Sequence, residues 1–375
     1  MQKRLNIKSA QDAMEQAGLN QTAVAESLDV TKEAVSQWLN AKSFPRPNKL
    51  LKLAKLLQLS FEELVINDEP NAPLIAFRKK AGAKTKDHHI EKAQEIGRFL
   101  RHLVPYLPFE TLEMPPVLKS PNRDYDYLRQ VTSKVRTDIK LGEIETVDFD
   151  HLIRRFTELQ AVVVPALWGT KQRHENAIHI HLPDSQTTWV YLNLDTNIHD
   201  FKFWMAHELG HCLSPSLSGD DAEDFADDFA GALLCPSALA EKAYTELNQQ
   251  RTSAAKIQKV IELADEQTIS PYTVLGQTNK YAAYKGLPEI ELSKAFFGAV
   301  TNFNKRFHNL SDALLGDIQK LDARDFINKT ENAFETPFFE LLRKYLKEQN
   351  KGPGYVQVVM DMPLLDARSI HSELT

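Results

Sequence analysis

His207-Glu208-Leu209-Gly210-His211 sets two imidazoles four residues apart with a carboxylate between them. On a helix, positions i and i+4 share one face, so both histidines can reach a single zinc ion while Glu208 stands beside its open coordination position. A catalytic zinc needs a third protein ligand. Glu223, twelve residues past His211, supplies one on the next expected helix. Asp227, one turn further, can accept the second N–H of a ligand histidine and fix its tautomer. Zinc held this way lowers the pKa of a bound water, and Glu208 is the base that takes the proton and passes it to a leaving amine. The chemistry expected is peptide-bond hydrolysis.

The neighbouring acids Asp220, Asp221, Asp224 and Asp228 read as a solvated helix face favoured by the helix dipole. Tyr272, His179 and His181 are the candidates for stabilising an oxyanion. The two cysteines, Cys212 and Cys235, read as packing residues; Cys212 faces away from the histidines. The chain has no Gly-x-Ser-x-Gly elbow, phosphate-cradling glycine loop or Cys-x-x-Cys pair to suggest other chemistry.

A second constellation lies near the N-terminus. Gln21 to Leu28, a tight turn at Asp29, and Thr31 to Leu39 have the spacing of a helix-turn-helix. Small Ala25 lets the two helices approach, Leu28, Val30 and Val35 fill the angle between them, and Thr31 can cap the second. That leaves Thr31, Lys32, Glu33, Ser36 and Gln37 facing outward to reach base edges in the major groove. Gln21, Lys42 and Arg46 are placed to touch phosphate, which positions the protein without reading sequence.

These residues need particular elements to hold them. Apolar spacing predicts five short helices between Ile7 and Val65, and the polar, proline-bearing stretch Ile66 to Pro73 predicts a boundary. The basic run Arg78, Lys79, Lys80, Lys84 and Lys86 reads as a solvated face or linker. Helical patterns follow over 90–103 and 125–160. Strands are expected at Ala161–Val164, Ala177–Leu182 and Trp189–Leu194, the second as an edge on which an extended substrate could pair. A helix should start near Asp200 with that residue as its cap. Nearly everything after Ala222 reads as helix until Gly352-Pro353-Gly354, and Tyr355 to Met360 reads as a late strand.

Composition agrees with a folded chain of two or three units: 375 residues, 42% hydrophobic and 26% charged. It excludes a disordered or collagen-like protein. No apolar run reaches the roughly 18 residues of a membrane span, and Met1 to Lys8 has no signal-peptide core, so a cytoplasmic location is expected. The net charge of -6 hides an asymmetry. Residues 1–66 carry nine Lys/Arg against seven Asp/Glu, leaving the acidic excess to the remainder.

Residues 5–66, including Pro45-Arg46-Pro47 and the Leu51, Leu53, Ala54, Leu57 helix, resemble the Xre/Cro family. Asp29 and Asn40-Ala41 stand where that family usually has glycine; both Asp and Asn tolerate left-handed backbone. Phe203 to His211, then Glu223-x-x-Ala226-Asp227-x-Phe229-Ala230 and Leu233-Leu234-Cys235-Pro236, resemble the ImmA/IrrE metallopeptidases over about residues 150–285. The two resemblances together imply an α+β, mostly α protein. Its parts would be a five-helix helix-turn-helix domain at 1–66, a linker and helical region at 67–145, a zincin-like domain at 146–285 with a small antiparallel sheet, and a mostly helical region at 286–375 of unassigned role. They also imply a regulator that binds operator double-stranded DNA, as a homodimer matching two half-sites. Its Zn2+-dependent endopeptidase would cleave a repressor-type protein controlling prophage, mobile-element, toxin-antitoxin or stress genes. The rival reading is a DNA-binding regulator or antitoxin-like protein whose zincin-like domain senses a ligand or binds a toxin or other partner without proteolysis. A purely structural zinc fits less well, since it is closed by four ligands and has no use for Glu208.

Overall fold

The computed structural model describes residues 2–40, 42–68, 72–79, 87–108, 117–167, 175–317 and 321–375. They form two compact units, Met1–Ala72 and Pro73–Thr375.

In the first unit, strand β1 (Gln2–Leu5) precedes helices α1 (Ile7–Gln16), α2 (Gln21–Leu28), α3 (Lys32–Leu39), α4 (Pro47–Leu57) and α5 (Phe61–Leu64), and β2 (Val65–Asp68) closes the unit by pairing antiparallel with β1. The five helices match the sequence expectation; the two strands are an addition, too short and polar to show alternation. Ala25, Leu28, Val35, Trp38 and Leu39 are buried between α2 and α3. Asn20 caps α2 by accepting from the Thr22 and Ala23 amides, and Thr31 Oγ1 caps α3 by accepting from Ala34 N at 3.2 Å. Asp29 takes the left-handed turn conformation with φ 52°. Asn40 does not: its φ is -108°, so the position after α3 makes no glycine-like demand. Lys49 Nζ donates to the carbonyls of Leu28 and Asp29 at 2.6 and 2.9 Å and so satisfies the C-terminal end of α2.

The second unit runs β3 (Leu74–Lys79), α6 (Asp87–Leu100), α7 (Tyr125–Asp138), α8 (Phe149–Glu158), β4 (Val162–Ala166), β5 (Glu175–Leu182), β6 (Thr187–Asn193), α9 (Ile198–Leu213), α10 (Gly219–Leu234), α11 (Ser237–Asn248), α12 (Ser253–Gln267) and α13 (Pro271–Lys285). It finishes with α14 (Ala295–Asn304), α15 (Leu310–Leu315), α16 (Ala323–Phe334), α17 (Phe338–Gln349), α18 (Pro353–Met360) and α19 (Leu364–Leu374). The protein is thus α+β and mostly α, and among the described residues no helix is long and apolar enough to cross a membrane.

Four differences from the sequence reading have physical causes. The sheet is mixed rather than antiparallel: its order is β3-β5-β6-β4, and β4 lies parallel to β6. Every residue of β4 is buried, as parallel strands require. β5 is not an edge, because β3 pairs along its other side. Within the basic run, Arg78 and Lys79 end β3, while Lys80, Lys84 and Lys86 lie outside the described residues. Finally, Tyr355 to Met360 is helix α18. The Gly-Pro-Gly turn places Pro353 in its first turn, and the buried Tyr355, Val356, Val359 and Met360 follow helical spacing.

One continuous core runs from Ala93 to Leu374, so the described helices before the sheet, from α6 on, and those after α13 contribute to the same packing as the sheet. Tyr191 of β6 donates its hydroxyl proton to Val359 O at 2.6 Å, and Thr336 does the same to Val163 O at 2.6 Å. Against the sheet lies α9, buried from Phe201 to Leu213 apart from Phe203. A helix apolar on nearly all sides belongs inside a fold, so the charge it carries must serve a purpose.

Candidate functional site

α9 starts two residues earlier than expected, with Asn197 in the cap position and Asp200 in the first turn, where a carboxylate favours the dipole. It carries His207, Glu208 and His211, all buried. α10 packs directly on it and brings Glu223 and Asp227 to the same place. His207 Nε2 and His211 Nε2 are 3.0 Å apart, and the Glu223 carboxylate oxygens lie 3.5 Å from the first and 3.4 Å from the second. Two ligand atoms on a tetrahedral ion at 2.0–2.1 Å are about 3.3 Å apart, and each of these spacings, with a different Glu223 oxygen facing each histidine, is of that size. Glu208 also comes within 4.8 Å of both imidazole nitrogens. Glu223 faces each imidazole with a separate oxygen, so both carboxylates stand within reach of the histidine pair.

Asp227 Oδ1 sits 2.8 Å from His207 Nδ1, so Nδ1–H donates to it and Nε2 is the nitrogen turned toward Glu223 and His211. Burial works against a charge on His207, but hydrogen bonds to Asp227 and Glu223 outweigh it and hold the imidazole pKa at about 9. Burial likewise opposes ionisation of Glu223, and the two histidines overcome it, drawing the carboxyl down to about 2. Both shifts express the pairing of His207 with the two carboxylates, whereas burial pushes His211 below its usual value.

Of the three oxyanion candidates, only His179 is brought to the cluster. Its Nδ1 is 3.7 Å from Glu208 Oε2 and its ring centroid 5.4 Å from that of His211. Burial, reinforced by His211 and His181, pushes its pKa well below the usual value, so the ring is neutral. His181 instead meets Thr188 Oγ1 at 3.2 Å, and the half-exposed Tyr272 packs on Phe296. Asp224 and Asp228 are not a bare solvated face. Both pair with Arg123, and Asp228 also with Lys280. Cys212 and Cys235 are buried packing residues, with burial raising both thiols. The sequence missed β3, one of the two outermost strands of the sheet among the described residues. Its short run Leu74-Ile75-Ala76-Phe77 was the one signal, masked by Pro73 before it and basic residues after it.

In the first unit, Thr31, Lys32, Glu33 and Gln37 are exposed along α3, and Ser36 is half-buried. Ser43 Oγ donates to Gln37 Oε1 at 3.4 Å, restraining that amide. Gln21 is half-buried at the start of α2, while Lys42 and Arg46 are exposed beyond α3.

A helix-turn-helix family model matches residues 11–64, from within α1 to the end of α5. The first unit is a DNA-binding helix-turn-helix domain of the Xre/Cro type, and the chain binds double-stranded DNA as a regulator. No curated relative matches the chain.

Proposed function

We propose that this regulator is also a zinc-dependent endopeptidase of the ImmA/IrrE type, acting on a repressor-type protein. The observation that carries the reading is the donor triangle of His207, His211 and Glu223, with Asp227 orienting His207. Zinc bound there supplies a Lewis acid and lowers the pKa of the water it holds. The protein's own residues do the rest. Glu208, buried beside the triangle, accepts a proton from the attacking water and returns it to the leaving amine. Neutral His179 stands next to Glu208, where it can donate a hydrogen bond to charge developing on the substrate. An extended substrate pairs with β3, the sheet edge, rather than with interior β5.

The test uses purified full-length protein. The reading expects about one zinc per chain and cleavage of an Xre-type repressor offered as substrate, abolished by chelation and restored by zinc. Protein that binds no zinc, or a repressor cut equally well under chelator, overturns it. The non-proteolytic alternative predicts operator binding with the repressor left intact.

On the DNA side, Lys32, Glu33, Ser36 and Gln37 are assigned to base edges with Thr31, and Gln21, Lys42 and Arg46 to phosphates, in a homodimer on paired half-sites. Gln37→Ala should cost about 1–3 kcal/mol on the operator and relax discrimination at one base pair. Arg46→Ala should weaken operator and random DNA alike and reduce the salt-dependence slope by about one. Fluorescence anisotropy across a salt series separates the two.

A further inference from the structure

A cavity of about 300 Å³ lies on the opposite side of α10 from the metal-site residues, between α7, α10 and α13. Its floor is apolar, from Leu128, Ala232 and Cys235. Gln277 lines it, is only 7% exposed, lies with its Nε2 close to Gly231 of α10, and makes no side-chain hydrogen bond among the described residues. The amide is thus free to hydrogen-bond to whatever occupies the cavity, water or a ligand that matches its donor and acceptor. The fold makes room for the amide: a Cβ at Gly231 of α10 would collide with Gln277 Nε2.

The remaining walls narrow the ligand's chemistry. Tyr125 and Tyr284 stack at 4.6 Å with 21° between their planes and form a flat aromatic side. At the mouth, Arg123 and Lys280 are already matched by Asp224 and Asp228, so the rim offers no net charge to an ionic ligand. The volume is at the lower limit for small-molecule pockets. A carboxamide presents a donor and an acceptor side by side, and its complement is a lactam or carboxamide edge.

We propose that this cavity binds a small, neutral, planar heterocycle bearing a lactam or carboxamide edge, of nucleobase size, held by the Gln277 amide against the Tyr125–Tyr284 wall. The site is independent of the peptidase reading.

Uracil, hypoxanthine and nicotinamide are the probes, with indole as a flat molecule of similar size that lacks the amide edge. Binding to the full chain is read by saturation-transfer NMR and calorimetry, on wild type, Gln277→Leu and Ala283→Trp. Ala283 is exposed at the mouth, so its variant closes the cavity without disturbing the buried amide. The expected result is that at least one probe binds wild type, that indole binds at least tenfold more weakly, and that both variants lose at least tenfold in affinity. If Gln277→Leu fails to fold, Ala283→Trp alone decides. The proposal is overturned if none of the three probes binds, if indole binds as well, or if a folded variant keeps wild-type affinity.

Discussion

Glu208→Gln should, on the proposed zinc-peptidase reading, leave zinc binding as in wild type and lower peptide hydrolysis about 10²–10⁴-fold, because it removes the proposed proton carrier and leaves the proposed donors in place. Glu223→Ala is expected to behave differently, losing both metal and activity, since it deletes one corner of the triangle. Asp227→Asn falls between. It preserves shape but weakens the hydrogen bond that holds His207, and it should lower metal affinity by about 10–100-fold while zinc-saturated enzyme retains substantial turnover. Zinc affinity by chelator competition and hydrolysis at saturating zinc are both needed. If Glu208→Gln loses zinc as completely as Glu223→Ala, then Glu208 is a ligand and the role assignment fails. If all three variants bind zinc like wild type, the triangle is not the metal site.

Local periodicity made part of this site readable. His207 and His211 are one helical turn apart, and the helix required to align them is the one the sequence places from near Asp200 onward. Glu223 and Asp227 depend on how α10 lies against α9, a tertiary fact, yet their spacing of one turn suggested a shared face. Other features left little local trace. β3 is recognisable only once its partner β5 is known, because six residues with a proline before them and basic residues after them carry no alternation of their own. Tyr355 to Met360 has the β-branched content of a strand, and only its packing against β6 and α6 shows that the buried positions recur at helical intervals. The Arg123 pairing with Asp224 and Asp228 spans about a hundred residues of sequence and has no motif at all.

Substitutions at Gly210 should produce a graded loss of stability and, on the proposed reading, of metal affinity, because this glycine lies at the close contact between α9 and α10, which carry the proposed ligands. A Cβ at Gly210 would meet Ala226 Cα at 3.1 Å, Phe229 Cδ1 at 3.2 Å and Ala226 Cβ at 3.3 Å. The nearest of these is backbone and cannot rotate away. Alanine should gain up to about 1 kcal/mol in helix propensity and lose about 1–3 kcal/mol to overpacking, for a net modest destabilisation. Valine adds two methyl groups in the same space and should cost more than about 3 kcal/mol, by the same overpacking logic carried further. Any relief must come from α10 moving outward, and α10 carries Glu223 and Asp227, so the triangle opens as the helices part. Gly276 and Gly298 provide the contrast. Each lies inside a helix, and a Cβ there would meet nothing within 4 Å, so alanine should stabilise by about 0.5–1 kcal/mol and leave zinc binding unchanged. Urea unfolding together with chelator competition measures both effects. A Gly210→Val protein with wild-type stability would show that the α9–α10 contact is not limited by this glycine, and one that is destabilised yet binds zinc normally would show that the donors tolerate helix separation.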